Sequence, residues 1–147
     1  MLLEIPLEEI MHFSKTTEYA IRVLSYLCRY KEKPHSVAFL HNELDLPYKY
    51  LTKLMTELEK KELVSSLRGR DGGFVLKGDA NRIFLAQILE AIGEPLEQKR
   101  CILGFEQCNA KNPCALHDAW LNPKKMIEEM LQNTSLASLV ETKTTKI

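Results

Sequence analysis

The fold is decided by residues 45–76, which read DLPYKYLTKLMTELEKKELVSSLRGRDGGFVL. The first three residues predict a turn whose proline opens a helix over about 48–61, because proline suits the start of a helix. A β-prone run at 63–67 and a return run at 74–76 flank a glycine-rich turn at 68–73, which is the pattern of a hairpin. A hairpin that directly follows such a helix predicts a wing.

Upstream of this stretch, the pattern supplies the remaining helices of a helix-turn-helix. Ser14 is the predicted N-cap of a first helix that ends near 33–34, and Ser36 is the predicted cap of a short second helix. Apolar residues recur at helical spacing on the first helix, at Tyr19, Ala20, Val23, Leu24, Leu27 and Cys28. Cys28 lies on this apolar stripe and is therefore predicted to be structural.

Downstream, the periodicity predicts a helix over 79–92, no regular structure over 94–113, and a long helix over 114–132. Asn122-Pro123 interrupts the last pattern, so a kink or a break is expected there. The predicted fold class is mainly α with a small β-hairpin: a winged helix-turn-helix domain followed by a long helix.

Composition narrows the class of protein. The chain has 147 residues, 45% hydrophobic and 27% charged, with a formal net charge of zero, which fits one globular domain and excludes a globally basic, histone-like protein. No apolar run reaches the roughly 18 residues that a membrane span needs. The first ten residues carry three glutamates and no lysine or arginine, unlike a signal peptide. A cytoplasmic protein without a membrane partner is expected, with reduced or metal-bound cysteines.

Charge is concentrated on the helix and the hairpin of the deciding stretch. Between residues 48 and 82 there are eight basic and five acidic residues, an excess that favours double-stranded DNA as a partner. Taken singly, each cation is equally well explained as part of a solvated face. The predicted DNA-binding residues are Tyr48, Lys49, Tyr50, Thr52 and Lys53 on the helix and Arg68, Gly69 and Arg70 on the hairpin.

Three cysteines and a histidine lie in and just after the non-periodic segment. Six residues separate Cys101 from Cys108, five separate Cys108 from Cys114, and two separate Cys114 from His117. Thiolates are ligands for iron–sulfur clusters and for zinc. The absence of a Cys-x2-Cys knuckle favours iron–sulfur, while zinc stays open. A disulfide is disfavoured by the expected compartment.

The sequence contains no recognisable catalytic motif. There is no phosphate loop, no dinucleotide fingerprint and no nucleophile with a supporting motif. We therefore expect a protein that is not an enzyme.

Four stretches together resemble one known family. They are FSKTTEYA at 13–20, LPYKYL at 46–51, LVSSLRG at 63–69 followed by Gly72-Gly73-Phe74, and the three-cysteine segment. Over about residues 11–140 the chain resembles the IscR/NsrR family of bacterial winged helix-turn-helix transcription regulators that bind an iron–sulfur cluster. The resemblance implies a homodimer formed through the long helix, and a repressor or activator whose affinity for operator DNA follows cluster state, redox state or nitric oxide.

The resemblance also implies the ligands. Cys101, Cys108 and Cys114 hold the cluster, and the fourth ligand is either His117 or Glu18 of the partner subunit. The intact Cys-x2-His favours His117 and a [2Fe–2S] cluster over a [4Fe–4S] cluster. The chain departs from the family pattern in its first ten residues, in the six residues between the first two cysteines, and at Pro123.

The predicted organisation has four parts. Residues 1–10 are an N-terminal extension, 11–78 the winged helix-turn-helix DNA-binding domain, 79–135 the cluster-binding loop and dimerisation helix, and 136–147 a C-terminal tail. Two alternative functions stay open: a zinc-stabilised winged-helix regulator, and a cluster-carrying redox protein that does not bind DNA.

Overall fold

A computed structural model describes residues 13–94 and 101–141, and within these ranges the chain forms six helices and one antiparallel hairpin. The predicted mainly-α class with a small hairpin is confirmed. The predicted extension at 1–10 and the tail beyond 141 lie outside the described residues. No helix in the described ranges is long and apolar enough to cross a bilayer. The elements are α1 (Lys15–Arg29), α2 (Val37–Leu44), α3 (Tyr48–Lys60), β1 (Val64–Leu67), β2 (Gly73–Leu76), α4 (Leu85–Ala91), α5 (His117–Asn133) and α6 (Leu136–Glu141).

Helix α1 is the centre of the core. Ser14 is its N-cap as predicted, and the Ser14 hydroxyl accepts the backbone N–H of Thr17 at 3.1 Å. The helix ends at Arg29, earlier than predicted, because the chain must become extended to reach His35, whose backbone pairs with β2. The buried apolar face of α1 consists of Ala20, Val23, Leu24 and Leu27.

The helix-turn-helix is formed by α2, a tight turn and α3. Asp45 ends α2 in the left-handed conformation, with φ of 51°, and Leu46 turns back into the core. His41 on α2 holds the turn, because its Nδ1 lies 2.5 Å from the carbonyl oxygen of Leu46. Pro47 stands at the N-cap of α3. The apolar residues that recur at helical spacing on α3 are all buried: Leu51, Leu54, Met55 and Leu58.

The wing is fastened to the domain by backbone hydrogen bonds outside the hairpin itself. In the hairpin, Val64 lies opposite Leu76 and Leu67 opposite Gly73. The N–H of His35 donates to the carbonyl of Phe74 at 3.0 Å, and the N–H of Phe74 donates back at 2.8 Å. A Cβ at Gly73 would lie 2.5 Å from the carbonyl carbon of His35, so this close approach requires glycine.

The predicted helix over 79–92 is wrong in its first half, since α4 begins only at Leu85. The Asp79 carboxylate accepts the backbone N–H of Asn81 at 2.9 Å, a local turn that competes with helix formation. The next residues are extended because they pair with a distant segment. The backbone N–H of Leu85 donates to the carbonyl of Thr134 at 3.0 Å, and the backbone N–H of Leu136 donates to the carbonyl of Ile83 at 2.7 Å.

The long helix α5 also differs from its prediction. It begins at His117 rather than at 114, and it continues through Pro123 without the break that was one of the expected outcomes. Pro123 has no N–H to donate to the carbonyl of Ala119, and that carbonyl lies at an exposed position where water can replace the missing hydrogen bond. After α5, the short helix α6 packs on α1 and buries Leu136 completely.

Candidate nucleic-acid interface and metal centre

The first turns of α3 present four of the predicted DNA-binding residues to solvent. Tyr48 is 50% exposed, and Lys49, Thr52 and Lys53 are also exposed. Tyr48 is held edge-on against the His41 ring of α2, with the ring centroids 5.7 Å apart. The four side chains therefore lie on one accessible end of the second helix of the helix-turn-helix, the element that enters the major groove in such proteins.

Tyr50, the fifth predicted residue of this helix, is engaged with α1. Its ring meets Tyr19 edge to face, with centroids 5.4 Å apart, and its hydroxyl is hydrogen-bonded to that of Thr16. Tyr50 remains 37% exposed. The side chain thus fixes α3 against the start of α1, a contact that the sequence pattern did not indicate.

The tip of the wing carries the other predicted residues, Arg68, Gly69 and Arg70, and all three are exposed. Gly69 adopts a φ of +116°, and its carbonyl accepts the N–H of Gly72 at 3.1 Å to close the turn. A Cβ at Gly72 would lie 2.1 Å from the carbonyl oxygen of Leu67. The glycines therefore make a narrow tip that carries two cations.

Two acidic side chains near this surface, Glu59 and Glu62, are hydrogen-bonded to neighbouring residues. The Ser66 hydroxyl, and then its backbone N–H, lower the pKa of Glu59 by donating to its carboxylate. Lys77 lowers the pKa of Glu62 through a hydrogen bond and an ion pair at 2.7 Å. Each of these bonds joins the wing to another segment or closes its base. Both carboxylates therefore stay ionised near neutral pH, because these bonds favour the charged form.

Several structural residues of this region carry no local sequence signal. His35 is buried, and its Nε2 lies 2.8 Å from the carbonyl oxygen of Tyr30. Glu59 and Ser66 are seven residues apart on different elements. Their roles depend on tertiary contacts, which neither helical nor strand periodicity reveals.

The three cysteines and His117 line one cavity of about 460 Å³. A turn shapes one wall: the N–H of Gly104 donates to the carbonyl of Cys101 at 2.8 Å, and the N–H of Cys101 donates to Phe105 at 2.9 Å. All described residues that line the cavity lie between 101 and 117. The structure thus brings together the four ligands predicted within this segment.

Within the cavity the four donors form two pairs. The Sγ atoms of Cys101 and Cys114 lie 3.1 Å apart, and Cys108 Sγ lies 3.5 Å from Nδ1 of His117. In residues 13–94 and 101–141, no three His, Cys, Asp or Glu side chains are gathered tightly enough to hold one metal ion. The described cysteines are free thiols. The arrangement therefore offers two separate pairs of donors.

Burial and hydrogen bonding distinguish the sulfur atoms. Cys101 is only 5% exposed; its Sγ accepts the Leu103 N–H and is hydrogen-bonded to the Sγ of Cys114. The hydrogen bond between the two sulfur atoms is the main cause that lowers the pKa of Cys101, and it is also the main cause that raises the pKa of Cys114. Cys28 instead packs against the core, and burial raises its pKa.

Glu18, the alternative fourth ligand, lies in the first turn of α1. Its carboxylate forms an ion pair with Lys15 at 2.8 Å. Because the cavity is lined from 101–117, Glu18 of the same chain is not one of its walls.

Comparison with known proteins identifies the fold's relatives. Residues 13–142 match the family described as "Rrf2: Iron-dependent Transcriptional regulator". The chain belongs to the Rrf2 family. This Rrf2 chain is 33% identical over 132 residues to the HTH-type transcriptional regulator IscR of Xenorhabdus nematophila, and the match covers 89% of the chain and 80% of that relative.

Solved structures agree with this Rrf2 fold. CymR of B. subtilis, described as the global cysteine regulator, matches with a TM-score of 0.75 and 23% identity, covering 88% of the chain and 96% of CymR. The T. potens IscR matches with a TM-score of 0.70 and 24% identity, covering 91% and 89%. The resemblance and the winged-helix fold are therefore confirmed. The Rrf2 chain is a transcriptional regulator and not an enzyme.

Proposed function

We propose that this Rrf2 chain is a homodimeric regulator whose affinity for double-stranded operator DNA is controlled by an iron–sulfur cluster, [2Fe–2S] in preference to [4Fe–4S]. The observation that carries the proposal is the shared cavity of Cys101, Cys108, Cys114 and His117, with its donors in two pairs. The description of the Rrf2 family as iron-dependent supports the same chemistry.

The paired donors fit a cluster better than a single ion. Each iron of a [2Fe–2S] cluster takes two protein ligands, and imidazole is an accepted substitute for thiolate on one iron. Cys101 with Cys114, and Cys108 with His117, supply two such pairs. A structural zinc ion instead needs its four ligands around one point. When bound, the cluster supplies a redox-active centre that responds to oxidants, iron supply or nitric oxide.

The ligands connect two parts of the chain. Cys101, Cys108 and Cys114 belong to the irregular segment, whereas His117 is the first residue of α5. His117 is 92% buried, and its backbone N–H donates to the carbonyl of Cys114 at 3.0 Å. Ligation by all four would therefore fasten the irregular segment to the start of α5.

Helix α5 carries an exposed apolar face that suits a second copy of the chain. At 3.6 residues per turn, Met126 and Met130 fall on the same side of the helix as its N-cap residue, Leu116. They are 43%, 69% and 48% exposed, while Leu131 faces the core at 2%. Apolar side chains grouped in this way on a soluble protein indicate an interface, and most soluble homo-oligomers are two-fold dimers. We infer that α5 is the dimerisation helix.

For DNA binding, α3 supplies the groove contacts and the wing tip supplies backbone or minor-groove contacts. Lys49 and Lys53 extend from the exposed end of α3, and Arg68 and Arg70 from the wing. In a dimer, the two copies of α3 must reach half-sites separated by about 34–36 Å or a multiple of one helical turn. A change at the start of α5 would alter that separation and hence operator affinity.

Anaerobic purification tests the proposal most directly. We expect a coloured protein with iron and acid-labile sulfide in equal amounts. It should bind DNA from upstream of its own gene with an affinity that falls steeply as salt rises. A colourless protein with one zinc ion would favour the zinc-stabilised regulator instead. A coloured protein without salt-dependent DNA binding would favour the redox protein.

A further inference from the structure

Glu94 makes a pair of contacts that lie outside both candidate surfaces. Its carboxylate accepts hydrogen bonds from the Ser14 hydroxyl at 2.5 Å and from the Thr17 hydroxyl at 2.6 Å. Thr17 is completely buried. Glu94 stands seven residues before Cys101 in the sequence. The contacts therefore join the end of the segment that follows α4 to the start of α1.

The contact is built from several mutually supporting bonds. Ser14, which donates to Glu94, is also the N-cap that accepts Thr17 N–H. A carboxylate at a helix N-terminus is favoured by the helix dipole, and hydrogen bonds to a charged acceptor are strong. The backbone of Glu94 is fixed as well, since its N–H donates to the carbonyl of Leu89 at 2.8 Å after Gly93 turns with φ of +81°.

The first turn of α1 extends the path to α3. Thr16, next to Thr17, is hydrogen-bonded through its hydroxyl to that of Tyr50 on α3. Tyr50 lies within the stretch predicted to contact DNA. Two successive residues of α1 thus contact two different elements: Thr17 bonds to Glu94, and Thr16 bonds to α3.

We propose that Glu94 is a positioning residue that couples the state of the cysteine segment to the placement of α3. The inference rests on the proposed cluster-dependent function. A bound group shifts a conformational equilibrium only through contacts that differ between the two states. Glu94 supplies such a contact at the start of the segment, while His117 supplies one at its end.

The test compares cluster-loaded and cluster-free protein for DNA affinity in the wild type and in Glu94→Gln, which keeps the side-chain length and removes the charge. Wild-type coupling is expected in the range of about 5–150-fold that is typical of allostery. In Glu94→Gln the ratio should fall to within about twofold of unity, with iron and sulfide content unchanged. The matched control is Glu90→Gln, an exposed residue on α4, which should preserve the wild-type ratio.

A second variant removes the partner of Glu94 on α1. Thr17→Val keeps the buried volume and removes the donor, so it should reduce the coupling ratio even if Glu94→Gln folds poorly. If both act through one contact, the double variant should lose no more coupling than the stronger single variant. In cluster-free protein, hydrogen exchange of the amides of residues 15–18 should accelerate in both variants, a readout that needs no cluster.

The outcomes separate the two proposals. A Glu94→Gln protein with a lower melting temperature but an unchanged coupling ratio would show that Glu94 only caps α1, and would overturn the inference while leaving the proposed function intact. A wild-type protein whose DNA affinity does not depend on the cluster would overturn both.

Discussion

The carboxylate of Glu59, on the last turn of α3, accepts both the backbone N–H and the hydroxyl of Ser66 on β1, at 2.9 and 2.5 Å. This bond fixes the position of α3 relative to the wing. These are the two elements predicted to contact DNA. Binding by two elements is strengthened when their relative position is set before the partner arrives, because less conformational freedom is lost.

Glu59→Gln should weaken DNA binding and alter the pH dependence of stability. Ser66 lowers the pKa of Glu59 in the folded protein, below the ordinary glutamate value of about 4.3. The bond therefore contributes to the free energy of unfolding above that ordinary value, and the contribution is lost as pH falls through the lower folded value. Denaturant unfolding between about pH 6 and pH 3 should show the wild type losing its advantage over the variant. The control is Glu32→Gln, at an exposed position after α1. Its free energy of unfolding should follow that of the wild type over the same pH range.

Arg68→Ala should weaken operator binding because Arg68 stands exposed at the wing tip. The loss should be ~1–3 kcal/mol if the guanidinium contacts a base, and smaller with a salt slope reduced by about one if it contacts phosphate. Fluorescence anisotropy titrations at several salt concentrations distinguish these cases. Arg82→Ala, which removes the same charge outside the wing, is expected to have a smaller effect. Equal effects of the two variants would contradict a specific wing contact.

Gly72→Ala should damage the wing more than Gly69→Ala. A Cβ at Gly72 would meet the Leu67 carbonyl oxygen at 2.1 Å, so the backbone must move. At Gly69 a Cβ meets open space, and only the unfavourable φ of +116° opposes it, a strain of about 1–3 kcal/mol. Denaturant unfolding and DNA titration should both rank Gly72→Ala as the more severe change. The reverse order would contradict the described tip.

The sequence predicted the elements whose signals are local. The turn at 45–47, the inward face of α3 and the glycine-rich hairpin follow from residue types within a few positions of each other, and all three are present. A polar, irregular segment offers no core in which isolated thiols could be buried, and this favours one shared site for the three cysteines. They do line one cavity.

The features that the sequence did not predict depend on residues far apart in the chain. Helix α4 starts late because Ile83 and Leu85 pair with residues about fifty positions away. The contact of Glu94 with Ser14 spans eighty positions, and the bridge between His35 and Phe74 spans thirty-nine. No periodicity within one segment contains such information, so boundaries and positioning residues emerge only when the chain is folded.

Met130→Glu should prevent dimerisation if the exposed face of α5 binds a second copy. Met130 is 48% exposed on the same side as Leu116 and Met126, and a buried unpaired carboxylate in an apolar interface is strongly unfavourable. Light scattering after size-exclusion chromatography should give a mass near 16.9 kDa for the variant and twice that for the wild type. Gln132→Glu adds the same charge at another exposed position of α5 and should leave the dimer intact. A dimeric Met130→Glu protein would place the interface elsewhere.

His117→Ala should release the cluster, whereas Glu18→Gln should retain it. His117 lies in the cavity with its Nδ1 3.5 Å from Cys108 Sγ, while Glu18 of the same chain is paired with Lys15 on α1. Iron and sulfide analysis, with visible absorption recorded anaerobically, should therefore show a loss in the first variant only. His117→Cys adds a sharper measurement: four thiolates can still hold a cluster, but replacing imidazole by thiolate lowers its reduction potential. The opposite pattern, with cluster lost in Glu18→Gln and kept in His117→Ala, would assign the fourth ligand to Glu18 of the partner subunit, and would make cluster binding itself depend on the dimer.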